Sequence, residues 1–205
     1  MNNENFIFPP DQMVGEFDDF IGIWKNFIPK QLCKELIEKV DEIQTTSALI
    51  NDGETGKDQF ANGRMGRHDY ACVLNHYDVH LSNTINDYLK CCLKSYCLEY
   101  NQLLSVKLMS YAVKAQKTPP GGGYHEWHYE NASFTAASRE LVWTMYLNTM
   151  PEGEAETEFL YQRRRIKPEG GMVVIWPAGL THVHKGNTVF TEDKYILTGW
   201  AHKVQ

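Results

Sequence analysis

Long apolar runs are missing from this chain. No stretch approaches the ~20 consecutive apolar residues that a membrane-spanning helix needs, so no membrane association is expected. A basic segment followed by an apolar one is also missing near the N-terminus, and no secretory signal is expected. There is no basic excess. Lys and Arg number 20 against 26 Asp and Glu, a net charge of −6, which argues against a nucleic-acid partner. The five cysteines, Cys33, Cys72, Cys91, Cys92 and Cys97, are odd in number and contain no C-x-x-C pair. That argues against a disulfide framework and a structural zinc site, and makes the cytoplasm the expected compartment. The glycine run Gly121-Gly122-Gly123 lacks the strand–GxGxxG–helix context of a dinucleotide site.

What remains is the profile of one globular domain of 205 residues, 42% hydrophobic and 12% aromatic. Residues 1–28 read as an N-terminal extension, polar as far as Phe20 with Pro9-Pro10 and the acidic Glu16, Asp18 and Asp19. Residues 29–104 read as helical support plus a substrate-side loop. Pro29 opens an amphipathic helix whose Leu32, Leu36, Ile37 and Val40 share a face. A second helix is predicted over Asp78–Tyr100, with Leu81, Ile85, Leu89, Cys92 and Tyr96 as its buried stripe. Between them, the Gly-, Asp- and Asn-rich stretch 51–67 reads as a long loop covering a site. Arg64, Arg67, His68 and Asp69 cluster at its end, and Arg67 is the candidate substrate contact.

From Ser105 the pattern turns to strands. Lys107, Met109, Tyr111 and Val113 alternate with Val106, Leu108, Ser110 and Ala112, and a Pro/Gly loop follows over 118–123. Further strands are expected over 141–147, 158–166, 172–176 and 195–200. Arg163-Arg164-Arg165 is expected to be solvated. Many short strands after two helices fit an α+β domain. Its core, residues 105–205, would be a double-stranded β-helix (a jelly roll, or cupin-like barrel) with the helices outside.

One constellation carries chemistry. His128 and Glu130 are two apart, so on a strand both would face one side. A third ligand from His182 or His184 would complete two histidines and a carboxylate, a set that suits non-haem Fe(II) with open positions for reaction. His125, at an odd offset from His128, reads as structural.

These residues resemble, in order and spacing, the 2-oxoglutarate and Fe(II)-dependent dioxygenases of the prolyl 4-hydroxylase-like branch. The resemblance runs from about Ser105 to Trp200. It rests on Tyr111, His128-Tyr129-Glu130, Met145-Tyr146-Leu147-Asn148, Glu156–Leu160, Lys167-Pro168-Glu169-Gly170-Gly171, Met172–Pro177, His184, Lys194 and Trp200. Two departures stand out: Glu130 where most members use Asp, and a longer Gly/Pro insertion between Tyr111 and His128. The family spacing of ten residues between the distal histidine and the lysine favours His184 over His182. The resemblance implies His128, Glu130 and His184 as iron ligands and catalytic centre, and Lys194 as partner of the far carboxylate of 2-oxoglutarate. Tyr111 and Thr198 are candidates to bond the same carboxylate, and Trp200 is placed on the substrate side. It also implies Fe(II), 2-oxoglutarate and O2 as cofactors, with ascorbate to keep the iron reduced. The expected reaction is hydroxylation of an unactivated C–H bond with release of succinate and CO2. By analogy the substrate is a prolyl residue in a peptide or protein, with a small molecule as the alternative. The rival readings are a cupin-like metal enzyme that makes no use of 2-oxoglutarate and a non-catalytic metal-binding barrel.

Overall fold

The computed structural model describes residues 14–45, 50–51, 60–61, 64–65 and 67–204, with side chains described outside 46–66. Most of the predicted loop 51–67, including the side chain of Arg64, and the first thirteen residues of the extension lie outside that description.

The elements run β1 (Glu16–Asp18), β2 (Ile21–Trp24), α1 (Lys30–Thr45), then the short β3 (Ile50–Asn51), β4 (Phe60–Ala61), β5 (Arg64–Met65) and β6 (Arg67–His68). β7 (Tyr70–Val73), α2 (Val79–Glu99), β8 (Leu108–Met109), β9 (Lys114–Thr118) and β10 (Gly123–His128) follow. The chain closes with β11 (Arg139–Tyr146), β12 (Thr157–Phe159), β13 (Arg164–Ile166), β14 (Val173–Pro177), β15 (His184–Gly186) and β16 (Lys194–Lys203).

Two antiparallel sheets form the jelly roll. The larger runs β1-β2-β14-β11-β16-β9-β7-β3, with β8 also on β16, and the smaller runs β13-β12-β15-β10-β6. The sandwich therefore extends beyond 105–205. β2 pairs with β14, and all four of its residues are buried. β6 and β7 join β10 and β9. The polarity of residues 1–20 hides this, because the described strands that enter the sheet, β1 and β2, lie at and just beyond its end.

Side-chain alternation divides the large sheet into two faces. On β16, Tyr195, Leu197 and Ala201 pack with Trp143 and Met145 of β11 against Leu36, Val40, Ile85, Leu89 and Tyr96 of the helices. Gly199 belongs to that face, where a Cβ would lie 2.6 Å from the Trp143 ring. On the other face Val142, Tyr146, Val174 and Trp176 meet Phe159 and Ile166 of the small sheet. Asp78 caps α2 by accepting the Leu81 N–H at 2.9 Å. Asp41 of α1 ties the helix to the sheet, accepting from Tyr195 Oη at 2.8 Å and pairing with Lys117 at 2.8 Å. Gly171 (φ +87°) makes the turn into β14, and its carbonyl accepts from the N–H groups of Phe27 and Ile28.

Two strand assignments need correction. The stretch from Ser105 to Val113 is a 3-10 turn, the short β8 on the end of β16 and extended chain, and the strand that pairs with β16 from Lys194 to Thr198 begins only at Lys114. The run 158–166 is two strands around a tight turn in which Arg163 adopts a left-handed φ of 50°. Arg164 and Arg165 are ion-paired there, with Asp18 at 3.2 Å and Glu158 at 3.2 Å.

Ile85→Ala removes a fully buried side chain between α2 and the sheet and should cost about 2–5 kcal/mol. Asp78→Ala removes only a cap and should cost about 1 kcal/mol. Urea unfolding of both variants checks the order, and equal losses would contradict this packing.

Candidate active site

A cavity of about 480 Å³ opens between the two sheets. The large sheet lines it with Lys114, Gln116 and Thr118 of β9, Val142 and Thr144 of β11, and Lys194, Ile196, Thr198 and Trp200 of β16. The small sheet contributes Tyr124 and His128 of β10 and His184 to Gly186 of β15.

His128 and His184 face each other as direct partners on β10 and β15, their rings 4.5 Å apart. Glu130 lies past the end of β10, in a turn held by its N–H to the Ala178 carbonyl at 2.9 Å. Its reach to the histidines therefore comes from that turn and not from strand alternation. Oε1 of Glu130 lies 3.5 Å from His128 Nε2 and 3.7 Å from His184 Nε2. Each histidine donates from Nδ1 to the carbonyl two residues before it, His128 to Glu126 at 2.8 Å and His184 to His182 at 2.9 Å. A carbonyl can only accept, so both rings carry their proton on Nδ1 and turn an Nε2 lone pair to the carboxylate. The three ligand atoms lie within 4.8 Å of one another, which fits one metal ion.

The charges suit a cation. Burial raises the Glu130 carboxyl, but an imidazole of His128 or His184, when protonated, outweighs it and holds the carboxyl well below the usual range. Burial lowers His184, keeping it neutral as a ligand must be. His182 is two residues from His184 but in a 3-10 turn. Its Nε2 bonds the Asp19 carbonyl at 2.9 Å and its Nδ1 meets Thr181. It braces the entry to β2, away from Glu130. His125 is not among the cavity-lining residues.

Lys194 is buried at the other end of the cavity. Its Nζ donates to the Ala155 carbonyl at 2.6 Å and lies 5.5 Å from the Tyr146 ring. Among the described residues no carboxylate lies within ion-pair distance of it. Burial pushes it down to about 8, against the more distant charges of Glu156 and Asp69. A buried cation so placed is satisfied by an anionic ligand.

The remaining predicted residues divide. Thr198 lines the cavity and donates to the Trp143 carbonyl at 2.8 Å. Tyr111 does not reach the cavity. It is 58% exposed and stacks on His202 at 4.8 Å. The strand that pairs beside Lys194 starts three residues later, and Thr118 of that strand, buried and opposite Lys194, lines the cavity. Arg67 lines the cavity, bonded to Asp69 through Nε at 2.5 Å and an NH2 at 2.9 Å, and lies over the Tyr124 ring. Gln116 also donates to Asp69, and Tyr124 stacks on His128 at 3.9 Å. Trp200 lines the cavity, but its indole N–H donates to Glu130 Oε2 at 2.9 Å.

Sequence reasoning missed Arg139, which donates to the same Oε2 at 3.1 Å and to the Glu130 carbonyl at 3.1 Å. It also missed Tyr124, Trp176, Gln116 and Thr118. Arg139 carries no motif signal, because a register shift between Arg139 and Leu141 reverses its face.

Residues 112–202 match the model of the 2OG-Fe(II) oxygenase superfamily. Among solved structures, the chain is similar to a prolyl 4-hydroxylase of Pseudomonas putida (TM-score 0.68, 18% identity, 91% of this chain and 94% of that one). It is also similar to a viral collagen prolyl hydroxylase from Paramecium bursaria Chlorella virus-1, solved with 2-oxoglutarate (TM-score 0.64, 18% identity, 91% and 97% covered). A third likeness is a Trichoplax adhaerens prolyl hydroxylase bound to a hypoxia-inducible-factor peptide (TM-score 0.67, 18% identity, 90% and 84% covered). No curated protein matches the sequence significantly. No described helix is long and apolar enough to cross a membrane. In its histidine–glutamate cluster, its prolyl 4-hydroxylase-like fold and the match over residues 112–202, the chain is similar to the 2-oxoglutarate and Fe(II)-dependent oxygenases.

Proposed function

We propose that the enzyme hydroxylates a prolyl residue of a peptide or protein, with Fe(II) held by Nε2 of His128, Oε1 of Glu130 and Nε2 of His184. The observation that carries the site assignment is the convergence of those three atoms on one point. With 2-oxoglutarate and O2, Fe(II) supplies the oxidising power for C–H hydroxylation, with succinate and CO2 released. The prolyl substrate is supported by the likeness to three prolyl hydroxylases. The cupin-like reading without 2-oxoglutarate finds no support in these matches.

The protein supplies position and dryness. Lys194 is the counter-charge for the far carboxylate of 2-oxoglutarate, with Thr118 and Thr198 on the same wall. Val142, Ile196 and Trp176 form the apolar part of the wall and exclude water. Tyr124 and Arg67, stacked beside His128, present a rigid, polar flank to the substrate. Asp69 is lowered by Arg67 and Gln116 against the effect of its burial, and keeps the Arg67 guanidinium in that orientation.

Anaerobic titration of Fe(II) and 2-oxoglutarate should give a visible charge-transfer band. His184→Ala and Glu130→Ala should lose it, and His182→Ala should keep it. A band that survives His184→Ala and vanishes in His182→Ala would sink the ligand assignment.

Lys194→Ala should weaken 2-oxoglutarate binding by roughly 2–5 kcal/mol, and Tyr111→Phe should leave it unchanged. The lysine is charged below about 8, whereas 2-oxoglutarate stays dianionic throughout. Its affinity should be flat below that pH and fall about tenfold per unit above it. A pH-independent affinity between 7 and 9.5 would remove Lys194 from this role.

Succinate release should rise when a prolyl peptide is added and not when its alanyl counterpart is added, with a gain of one oxygen on the prolyl peptide by mass spectrometry. Equal release with both peptides and no mass gain would refute the prolyl assignment.

A further inference from the structure

Glu130 is one methylene longer than the aspartate expected from the resemblance, and a longer carboxylate brings an extra rotatable bond and a choice of oxygen atoms. The structure removes that freedom. Trp200 Nε1 donates to Oε2 at 2.9 Å and an Arg139 NH1 donates to it at 3.1 Å. The same Arg139 nitrogen donates to the Glu130 main-chain carbonyl at 3.1 Å, so both ends of the side chain are held. The two donors brace each other, with the guanidinium carbon 3.6 Å from the Trp200 ring centroid. Oε1 is left as the oxygen facing both histidine Nε2 atoms.

Two features of the chain build this arrangement. A register shift between Arg139 and Leu141 sets Arg139 opposite His202, while Leu141 stays opposite Ala201. The extra residue reverses the alternation, so odd-numbered Arg139 shares the cavity face of Val142 and Thr144. Trp200 lies on that face of the neighbouring β16, opposite Val142. Glu130 itself is carried in from a turn anchored on Ala178. These anchors fix the backbone start point and the Oε2 end point of the side chain, and a glutamate spans the gap between them.

Resting on the iron-site reading above, we infer that Arg139 and Trp200 are positioning residues that make glutamate the length-matched, single-oxygen carboxylate of this metal centre. An aspartate at position 130 cannot both reach the two donors and present its other oxygen at the same point. The expectation is counterintuitive: restoring the commoner aspartate harms the site. Partners in the outer shell of a metal site change metal affinity by about 10–100-fold.

The test uses the full chain and Co(II), read by its visible d–d absorption under anaerobic conditions, with thermal melts of the metal-free proteins as a folding control. Glu130→Asp, Arg139→Gln and Trp200→Phe should each weaken Co(II) binding by about 10-fold or more and alter the intensity of the d–d band. Arg139→Lys should be intermediate, since it keeps the charge but not the fork or the stack. In a Glu130→Ala background, Arg139→Gln and Trp200→Phe should add little, because the group they act through is gone. Glu130→Asp with wild-type affinity and spectrum would overturn the inference. So would losses from Arg139→Gln and Trp200→Phe that persist undiminished in Glu130→Ala, which would mark a merely structural role. Wild type that binds Co(II) with no spectral response to 2-oxoglutarate would refute the cosubstrate assignment, while the variants still judge the clamp. Wild type that binds no Co(II) would refute both.

Discussion

The alternation of β16 is the constraint on which the rest of the molecule depends. Its odd positions Tyr195, Leu197 and Ala201 are committed to the helix-facing core, and its even positions Lys194, Ile196, Thr198 and Trp200 line the cavity. A slip of one residue would exchange the two sets and bury each on the wrong side. β11 and β9 hold the register from both flanks. The Tyr195 bond to Asp41 pins it to α1. What the large sheet brings to the cavity follows from that one phase: a cation at one end, an indole at the other and an apolar wall between.

The small sheet contributes a second, simpler device. His128 and His184 are cross-strand partners, and such pairs bring side chains together without any long-range loop. Identical Nδ1 bonds to the carbonyls two residues earlier orient both rings. The backbone thus selects the tautomer as well as the position. In the reading proposed above, the small sheet supplies the two histidine ligands and the large sheet supplies Lys194, the cosubstrate's counter-charge. The site draws on two stretches of sequence, Lys114 to Glu130 and His184 to Trp200, which flank more than fifty intervening residues.

Much of this was legible in the residues. The two helices, the jelly roll, the His128–Glu130 spacing and Lys194 all follow from local pattern or motif order, and those are the features that depend on few distant contacts. Alternation does not separate His182 from His184, which have the same parity; the spacing to Lys194 favours His184, and the 3-10 turn at 180–182 is what sets the two apart in the structure. Tyr111 was misplaced because alternation in 105–113 looks like a strand, while the true pairing strand, Lys-Ala-Gln-Lys-Thr, is polar and short. β2 was hidden by its polar approach. Arg139 was hidden by the register shift, since an irregularity of pairing leaves no trace in composition or periodicity.

That irregularity also sets which parts of the chain can change length. Residues 131–138 connect Glu130 to β11 through a surface turn whose Phe134 is almost fully exposed. Such a segment accommodates insertions at little cost. The single residue gained at Glu140 is different, because it is a phase shifter. Deleting it would leave every downstream residue of β11 in place while turning Arg139 from the cavity to the opposite side. Insertions and deletions in related chains should therefore gather just before this point and avoid it, giving a sharp boundary between a stretch that drifts in length and one that cannot.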